Sequence, residues 1–136
     1  PLTEHGRGEA AAAGRWLAAH GPAPALVLCS PALRARQTLA AVLAAFGREL
    51  PQRVDARIYE ATPGTLVTVA DEHAQGAGRV LLVGHNPGLE RLLALLGSGQ
   101  SGDYRGMPTA AVAVLALPAA AALEPGAATL TDFWWP

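Results

Sequence analysis

The stretch RVLLVGHNPGLERLLALLGSG, residues 79–99, decides the fold. Its opening run, RVLLVG at residues 79–84, is continuously apolar after Arg79, which predicts a strand buried on both faces, as in a parallel sheet. Asn86 and Pro87 then supply a helix N-cap and a first helical residue, and Gly97 ends the helix. A strand that leads directly into a helix is the repeating unit of α/β domains. His85 lies at this junction, immediately after the strand.

A second junction of the same kind is LVLCSPALRARQT, residues 26–38. Ser30 is predicted as the N-cap and Pro31 as the first residue of a helix that ends at Gly47. Apolar residues follow at the spacing of a helix core face: Leu39, Val42, Leu43 and Phe46.

The rest of the chain continues the alternation of strands and helices. We expect a helix over residues 4–20 capped by Thr3, a strand at 56–59, a helix at 62–74, strands within 110–117 and 128–135, and a loop at 119–122. The predicted fold class is therefore a three-layer α/β/α sandwich with a mostly parallel central sheet, forming one domain over residues 1–136.

Composition narrows the class of protein. The chain has 136 residues, is 51% hydrophobic and carries a formal net charge of −1. This charge creates no strong electrostatic field that would attract nucleic acid or anionic lipid. No apolar run is long enough to span a bilayer, and one cysteine allows no internal disulfide. No group has metal-ligand spacing. We expect a cytoplasmic protein without a metal, a cofactor, a nucleic-acid partner or a membrane partner.

Candidate chemistry gathers where the two strands end, because parallel sheets bind ligands beyond their carboxyl ends. Arg34 and Arg36 lie in the opening turns of a helix, where positive charge typically costs a few tenths of a kcal/mol, up to ~1. A bound anion would offset this cost. Arg34 also lies away from the core stripe, so it is either a phosphate clamp or a solvated surface arginine.

His85 has two interpretations as well. It could donate to a phosphoryl oxygen or exchange a proton, or its ring could satisfy a loop carbonyl. Cys29 does not begin a tyrosine-phosphatase loop, because the arginine of that loop would have to stand at Ala35, and Pro31 removes a needed N–H. Cys29 is predicted as a small apolar strand residue.

Five segments together resemble the histidine phosphatase superfamily, and more narrowly its small SixA-type phosphohistidine phosphatases. They are PLTEHGR, SPALRARQT, YEATPG, VGHNPGLE and MPTAAVAVL, and they cover nearly the whole chain in the family's order. The resemblance implies covalent catalysis, in which a histidine takes the phosphoryl group and water releases it. The substrate would be phosphohistidine on a protein or a small phosphate ester.

The resemblance also implies roles for individual residues. Arg34 would bind the phosphoryl group, and His85 would be the second histidine on the same oxygens. Glu60 would orient the nucleophile or transfer a proton, and Asn86 would contribute to substrate binding. Thr109 lies in a matching segment without an assigned role.

The chain departs from the family pattern at its start. The family nucleophile lies in Arg-His-Gly at the end of a first strand, ahead of Pro-Leu-Thr, and no such strand stands ahead of Pro-Leu-Thr in this sequence. His5 follows Pro-Leu-Thr and is preceded by Glu4, so we expect an exposed residue of a first helical turn. The alternative to an enzyme is therefore a non-catalytic phosphate-binding or regulatory module. His20 and His73 are predicted to be solvated or capping, and Trp134 and Trp135 to cover an edge of the core.

Overall fold

Three parallel strands form the centre of the fold in a computed structural model that describes residues 1–73, 78–98, 107–117 and 123–136. The elements in chain order are α1 (Glu4–Ala19), β1 (Leu26–Cys29), α2 (Leu33–Phe46), β2 (Gln52–Val54), α3 (Pro63–His73), β3 (Val80–Val83), α4 (Gly88–Ser98), β4 (Val112–Ala116) and β5 (Thr129–Trp134). The strand order is β2-β1-β3, and β4 and β5 form a separate antiparallel pair. The predicted α/β class is confirmed.

Alternate side chains of β1 divide the interior into two layers. Val27 and Cys29 face a cluster with Ala35 and Leu39 of α2, while Leu28 joins Leu66 and other side chains from the α3 and α4 side. Helix α1 packs on α2 through a third cluster. Helices therefore cover both faces of the sheet, as a three-layer sandwich requires.

Strands β3 and β4 contribute to the same two layers without pairing with each other. Leu81 of β3 and Val112 of β4 both pack against the α1 cluster, and Leu82 and Leu115 both pack against the cluster on the opposite face. All four residues of β3 are only half-buried. The prediction of a strand buried on both faces is wrong in this respect, because β3 has a hydrogen-bonded neighbour, β1, on one side only among the described strands.

The predicted strand at 56–59 is also wrong. The strand lies earlier, at Gln52–Val54, and Ala56–Ile58 form a 3₁₀ turn. The Asp55 carboxylate accepts a hydrogen bond from the Arg57 N–H at 2.9 Å, which closes the turn. Such local bonding by aspartate competes with strand pairing.

Helix boundaries differ slightly from those expected. The Thr3 cap of α1 and the end of α2 before Gly47 are confirmed. However, α2 begins at Leu33 and α4 at Gly88, so neither Pro31 nor Pro87 is the first helical residue. Helix α4 ends at Ser98, one residue past Gly97, and the loop expected at 119–122 falls outside the described residues.

Candidate functional site

The loops that follow β1, β2 and β3 all begin at the carboxyl edge of the sheet. Two hydrogen bonds hold these loops together: Ser30 N–H donates to the Val83 carbonyl at 3.0 Å, and Asp55 N–H donates to the Cys29 carbonyl at 3.1 Å. Side chains that follow the three strands are therefore brought close together, as expected for a parallel sheet.

Ser30 and His85 form the central contact of this edge. The His85 Nε2 and Ser30 Oγ atoms share a hydrogen bond of 2.7 Å, and Ser30 has no exposed surface. The same Oγ accepts from the Ala32 N–H at 3.2 Å. Ser30 is therefore not the N-cap of α2, and the cap residue, Ala32, makes no side-chain cap bond. Sequence analysis missed the Ser30–His85 pair, although a serine directly after a buried strand was its visible signal.

Tyr59 packs edge-on against His85. Their ring centroids are 5.5 Å apart with an interplanar angle of 81°. Tyr59 nevertheless leaves 52% of its surface exposed, so its ring lies against both His85 and solvent. No periodic or capping signal in the sequence predicts this contact, because Tyr59 lies in a turn.

Arg34 lies in the first turn of α2, four residues after Ser30, and is exposed as predicted. That turn contains no acidic residue. Within the described part of the chain, neither the Arg34 nor the Arg36 guanidinium has a hydrogen-bonded or ion-paired partner. The helix start therefore combines free positive charge with backbone N–H groups that lack intrahelical acceptors, which favours an anion.

Cys29 is buried at the end of β1, as predicted. Burial raises the pKa of its thiol to about 11, and the nearby charge of Arg36 opposes this only partly. The thiol is therefore neutral near pH 7 and unsuited to act as a nucleophile.

Gln37 holds the start of the chain beside α2. Its Oε1 accepts a hydrogen bond from the Leu2 N–H at 2.6 Å. Gln37 is three residues after Arg34, so the two side chains share a face of the helix. The residues around Pro1 thus lie near the arginine predicted to bind phosphate. Sequence analysis did not assign Gln37 a role.

Asn86 does not cap α4 as the sequence predicted. Its Nδ2 donates instead to the Met107 carbonyl at 2.9 Å, and the Met107 N–H donates to Glu90 Oε1 at 2.8 Å. These two bonds join the segments that carry His85 and Thr109. Asn86 and Thr109 are both exposed, and Thr109 lies in a turn.

Glu60 follows Tyr59 directly and is exposed. Its backbone has a φ of 50°, in the left-handed region that non-glycine residues adopt rarely. Its carboxylate makes no hydrogen bond or ion pair with another described residue. The structure therefore places Glu60 one residue from a contact of His85 without joining the two side chains.

An ion-pair cluster fixes the turn that precedes Tyr59. Arg57 donates to the carboxylates of Asp55 and Glu72, and His73 Nε2 lies 3.0 Å from Asp55 Oδ2. The bonds from Arg57, followed by that with His73, hold the pKa of Asp55 well below its usual range. The pKa of Glu72 is lowered chiefly by Arg57. His73, predicted to be solvated or capping, is instead a partner of Asp55.

The other two histidines lie on α1 or at its end. The His5 side chain is 86% exposed and 3.7 Å from Glu9, which confirms an exposed residue of the first turn. His20 is exposed, and its ring stacks on that of Trp16. The Nδ1 atom of His20 is hydrogen-bonded to the Trp16 carbonyl oxygen. Trp134 packs against the α1 cluster as predicted, whereas Trp135 is 55% exposed and does not cover the core.

The described residues contain no group of three or more histidine, cysteine, aspartate or glutamate side chains that could hold a metal ion. Among the same residues, no helix has both the length and the apolar character needed to cross a membrane.

A histidine, together with arginines that have no partner among the described residues, lies at the carboxyl edge of a parallel sheet and defines an α/β protein equipped to bind an anion there. The family model of the histidine phosphatase superfamily (branch 1) matches residues 1–77. An uncharacterised protein of Mycobacterium tuberculosis is 38% identical over 144 residues, covering 100% of this chain and 89% of the relative. The chain belongs to the histidine phosphatase superfamily.

Solved structures agree with this membership. A provisionally named phosphohistidine phosphatase SixA from Nakamurella multipartitia is 32% identical, with a TM-score of 0.86 over 100% of this chain and 84% of that one. The protein histidine phosphatase SixA in complex with tungstate is 26% identical, with a TM-score of 0.83 over 99% and 83% of the two chains. The resemblance to SixA-type proteins is thus confirmed.

Proposed function

We propose that the protein is a phosphohistidine phosphatase that works through a covalent phosphohistidine intermediate. The observation that carries the proposal is the His85–Ser30 pair at 2.7 Å, at the same sheet edge as the unpaired Arg34. A histidine fixed beside free guanidinium charge suits the equatorial oxygens of a phosphoryl group in transfer. The proposed substrate is a protein that carries phosphohistidine, the class of protein on which SixA is named to act.

The reaction would proceed in two displacements. A nucleophilic histidine nitrogen attacks phosphorus, and the bond from phosphorus to the substrate imidazole breaks, its electron pair leaving with the imidazole, which takes a proton. A water oxygen then attacks phosphorus, the new N–P bond breaks towards the enzyme histidine, and inorganic phosphate leaves. Each displacement spreads negative charge over the phosphoryl oxygens.

This chain's own residues would stabilise that charge. Arg34 offers its planar fork to two oxygens, and His85 donates to a third from the ring nitrogen that is not bonded to Ser30. Glu60 would orient the nucleophile or accept a proton from the attacking water. Asn86 would contribute an amide to the substrate once its bond to Met107 is exchanged.

We further propose that the nucleophile precedes Pro1 in the full-length protein. The Leu2–Gln37 bond holds the chain start close to Arg34, so a histidine just upstream could reach the phosphoryl group. Among the described strands, β3 and β4 line the same two layers without pairing with each other, which leaves an edge on each for one further strand. The matched relatives are also longer than this chain.

The test is to trap the phosphoenzyme of the full-length protein with a phosphohistidine peptide and to locate the phosphoryl group by mass spectrometry. We expect it on a histidine upstream of Pro1. His85→Ala and Arg34→Ala should each lower kcat/KM by about 10²- to 10⁴-fold, the range of a lost proton-transfer or charge-stabilising group.

His5→Ala is the matched control, because His5 is exposed on α1. It should leave turnover within about twofold of the wild type, the effect of an ordinary surface change. A phosphoryl group found on His5 would overturn the assignment of the nucleophile. Phosphate binding without any turnover would instead establish a non-catalytic phosphate-binding module.

A further inference from the structure

Tyr59 is a large aromatic side chain that is half exposed beside the proposed site. Its ring contacts His85 at a centroid distance of 5.5 Å, and 52% of the residue surface remains open to solvent. Its hydroxyl makes no hydrogen bond with another described residue. Tyr59 therefore contacts His85 through its ring alone, and the rest of the Tyr59 ring surface is available to a ligand.

The backbone of Tyr59 is held by the turn that precedes it. Ile58 is 1% exposed, and its N–H donates to the Asp55 carbonyl at 3.1 Å. The Tyr59 N–H donates to the Ala56 carbonyl at 3.2 Å. The Arg57 and Asp55 ion pair holds the same turn from outside.

Gly84, the residue before His85, has no side chain, so the turn at Ala56–Ile58 can pack closely against it. A Cβ placed on Gly84 would lie 3.1 Å from Cγ2 of Ile58, closer than most real contacts. The absence of a side chain there brings Ile58, and with it Tyr59, against the end of β3. The backbone of Tyr59 is thus held beside the end of β3, and its ring lies against His85.

We propose that Tyr59 selects substrates whose leaving group is a planar aromatic ring, by packing against that ring as the phosphoryl group is held at His85. This inference deepens the proposed function and rests on it. The imidazole of phosphohistidine and the ring of an aryl phosphate share this chemistry, whereas an alkyl phosphate lacks it. Two aromatic rings attract each other in edge-to-face and offset-stacked arrangements, at centroid distances such as the 5.5 Å between Tyr59 and His85.

The experiment compares three substrates on the full-length protein: a phosphohistidine peptide, phenyl phosphate and glycerol phosphate. Tyr59→Leu should lower kcat/KM by about three- to tenfold for the two aromatic leaving groups, the value of one aromatic contact. It should change the value for glycerol phosphate by less than about twofold. Tyr59→Phe, which keeps the ring, should restore aromatic preference. Trp135 is another exposed aromatic residue, far from Tyr59 in sequence. Trp135→Leu is the matched control and should leave the kcat/KM ratios between the three substrates unchanged.

Inhibition by inorganic phosphate separates the inference from the proposed function. Its inhibition constant should be unchanged in Tyr59→Leu, because phosphate has no leaving group to contact the ring. Equal losses on all three substrates would overturn the inference, since Tyr59 would then act only by holding His85. The inference would also be overturned if Tyr59→Leu kept the wild-type ratio of kcat/KM between the aromatic substrates and glycerol phosphate. A wild-type protein that hydrolyses none of the substrates would overturn the proposed function, and this inference with it.

Discussion

The Ser30–His85 pair shows how one residue can determine the direction of a side chain proposed to be catalytic. Ser30 is buried at the end of β1, and its oxygen contacts both the His85 ring and the Ala32 N–H. Since a buried hydroxyl requires a partner, the pair restrains the ring and the loop at the same time. In the proposed mechanism Ser30 is therefore a positioning residue, because it would act on the phosphoryl group only through His85.

Ser30→Ala should reduce kcat by about tenfold while leaving KM for the phosphohistidine peptide nearly unchanged, since a loosely held histidine still permits binding. The variant should also unfold more easily, by about 1–2 kcal/mol, because the Ala32 N–H loses its partner. Ser30→Thr keeps the hydroxyl and should recover most of the rate. The chemical shifts of the His85 ring nitrogens in NMR spectra report the loss of the bond directly. A normal rate in Ser30→Ala, with altered shifts, would contradict the positioning role.

At the scale of elements, α1 and α2 are in closest contact at Gly14. A Cβ there would lie 2.2 Å from the Val42 carbonyl oxygen, a backbone atom that cannot move without shifting α2. Because α2 carries Arg34 and Gln37, this crossing also sets the position of the proposed phosphate-binding turn relative to the start of the chain.

Gly14→Ala should therefore destabilise the protein by about 3 kcal/mol, at the upper end of overpacking costs, despite alanine's higher helix propensity. Gly8→Ala is the matched control on the same helix, since no atom lies within 4 Å of its added Cβ. It should stabilise the protein by up to about 1 kcal/mol. Urea unfolding measures the free energy of unfolding of both variants. Equal changes in the two would show that α1 and α2 pack less tightly at Gly14 than the structure indicates.

Elements with strong apolar patterns were predictable from sequence, and those shaped by side-chain hydrogen bonds were not. The apolar runs of β1 and β3 and the periodic face of α2 depend on burial, which the sequence displays directly. The turn at 56–58 depends on one aspartate that bonds a nearby N–H, and the same residue type also occurs in strands and helices.

The candidate site follows the same division. The positions of Arg34 and His85 at this edge were predictable, because both residues follow apolar strand runs at helix starts. The Ser30–His85 bond, the Tyr59 contact and the Asn86–Met107 bond join residues distant in sequence through loops. Loop conformation depends on the assembled fold, so no local pattern specifies these contacts.

At the scale of the whole molecule, the described strands form two sheets within one pair of helical layers. Strand β1 is flanked on both sides, whereas β3 and β4 each have one paired edge. Side chains from β3 and β4 still meet the same two clusters. The proposed upstream strand would pair with both edges and place its carboxyl end beside Ser30, His85 and Arg34, which would convert two sheets into one and complete the site.

Hydrogen exchange of the full-length protein tests this arrangement. Alternate N–H groups of a strand point to opposite sides, so β3 has one set facing β1 and another facing away. If a strand fills the open side, the outward amides of β3 should exchange as slowly as the inward ones, since both would open only with the core. The outward amides of β2, at the opposite edge of the sheet, are the internal control and should exchange rapidly. Outward amides of β3 that exchange as fast as those of β2 would show that no strand lies there, and the nucleophile would then have to reach His85 from a loop.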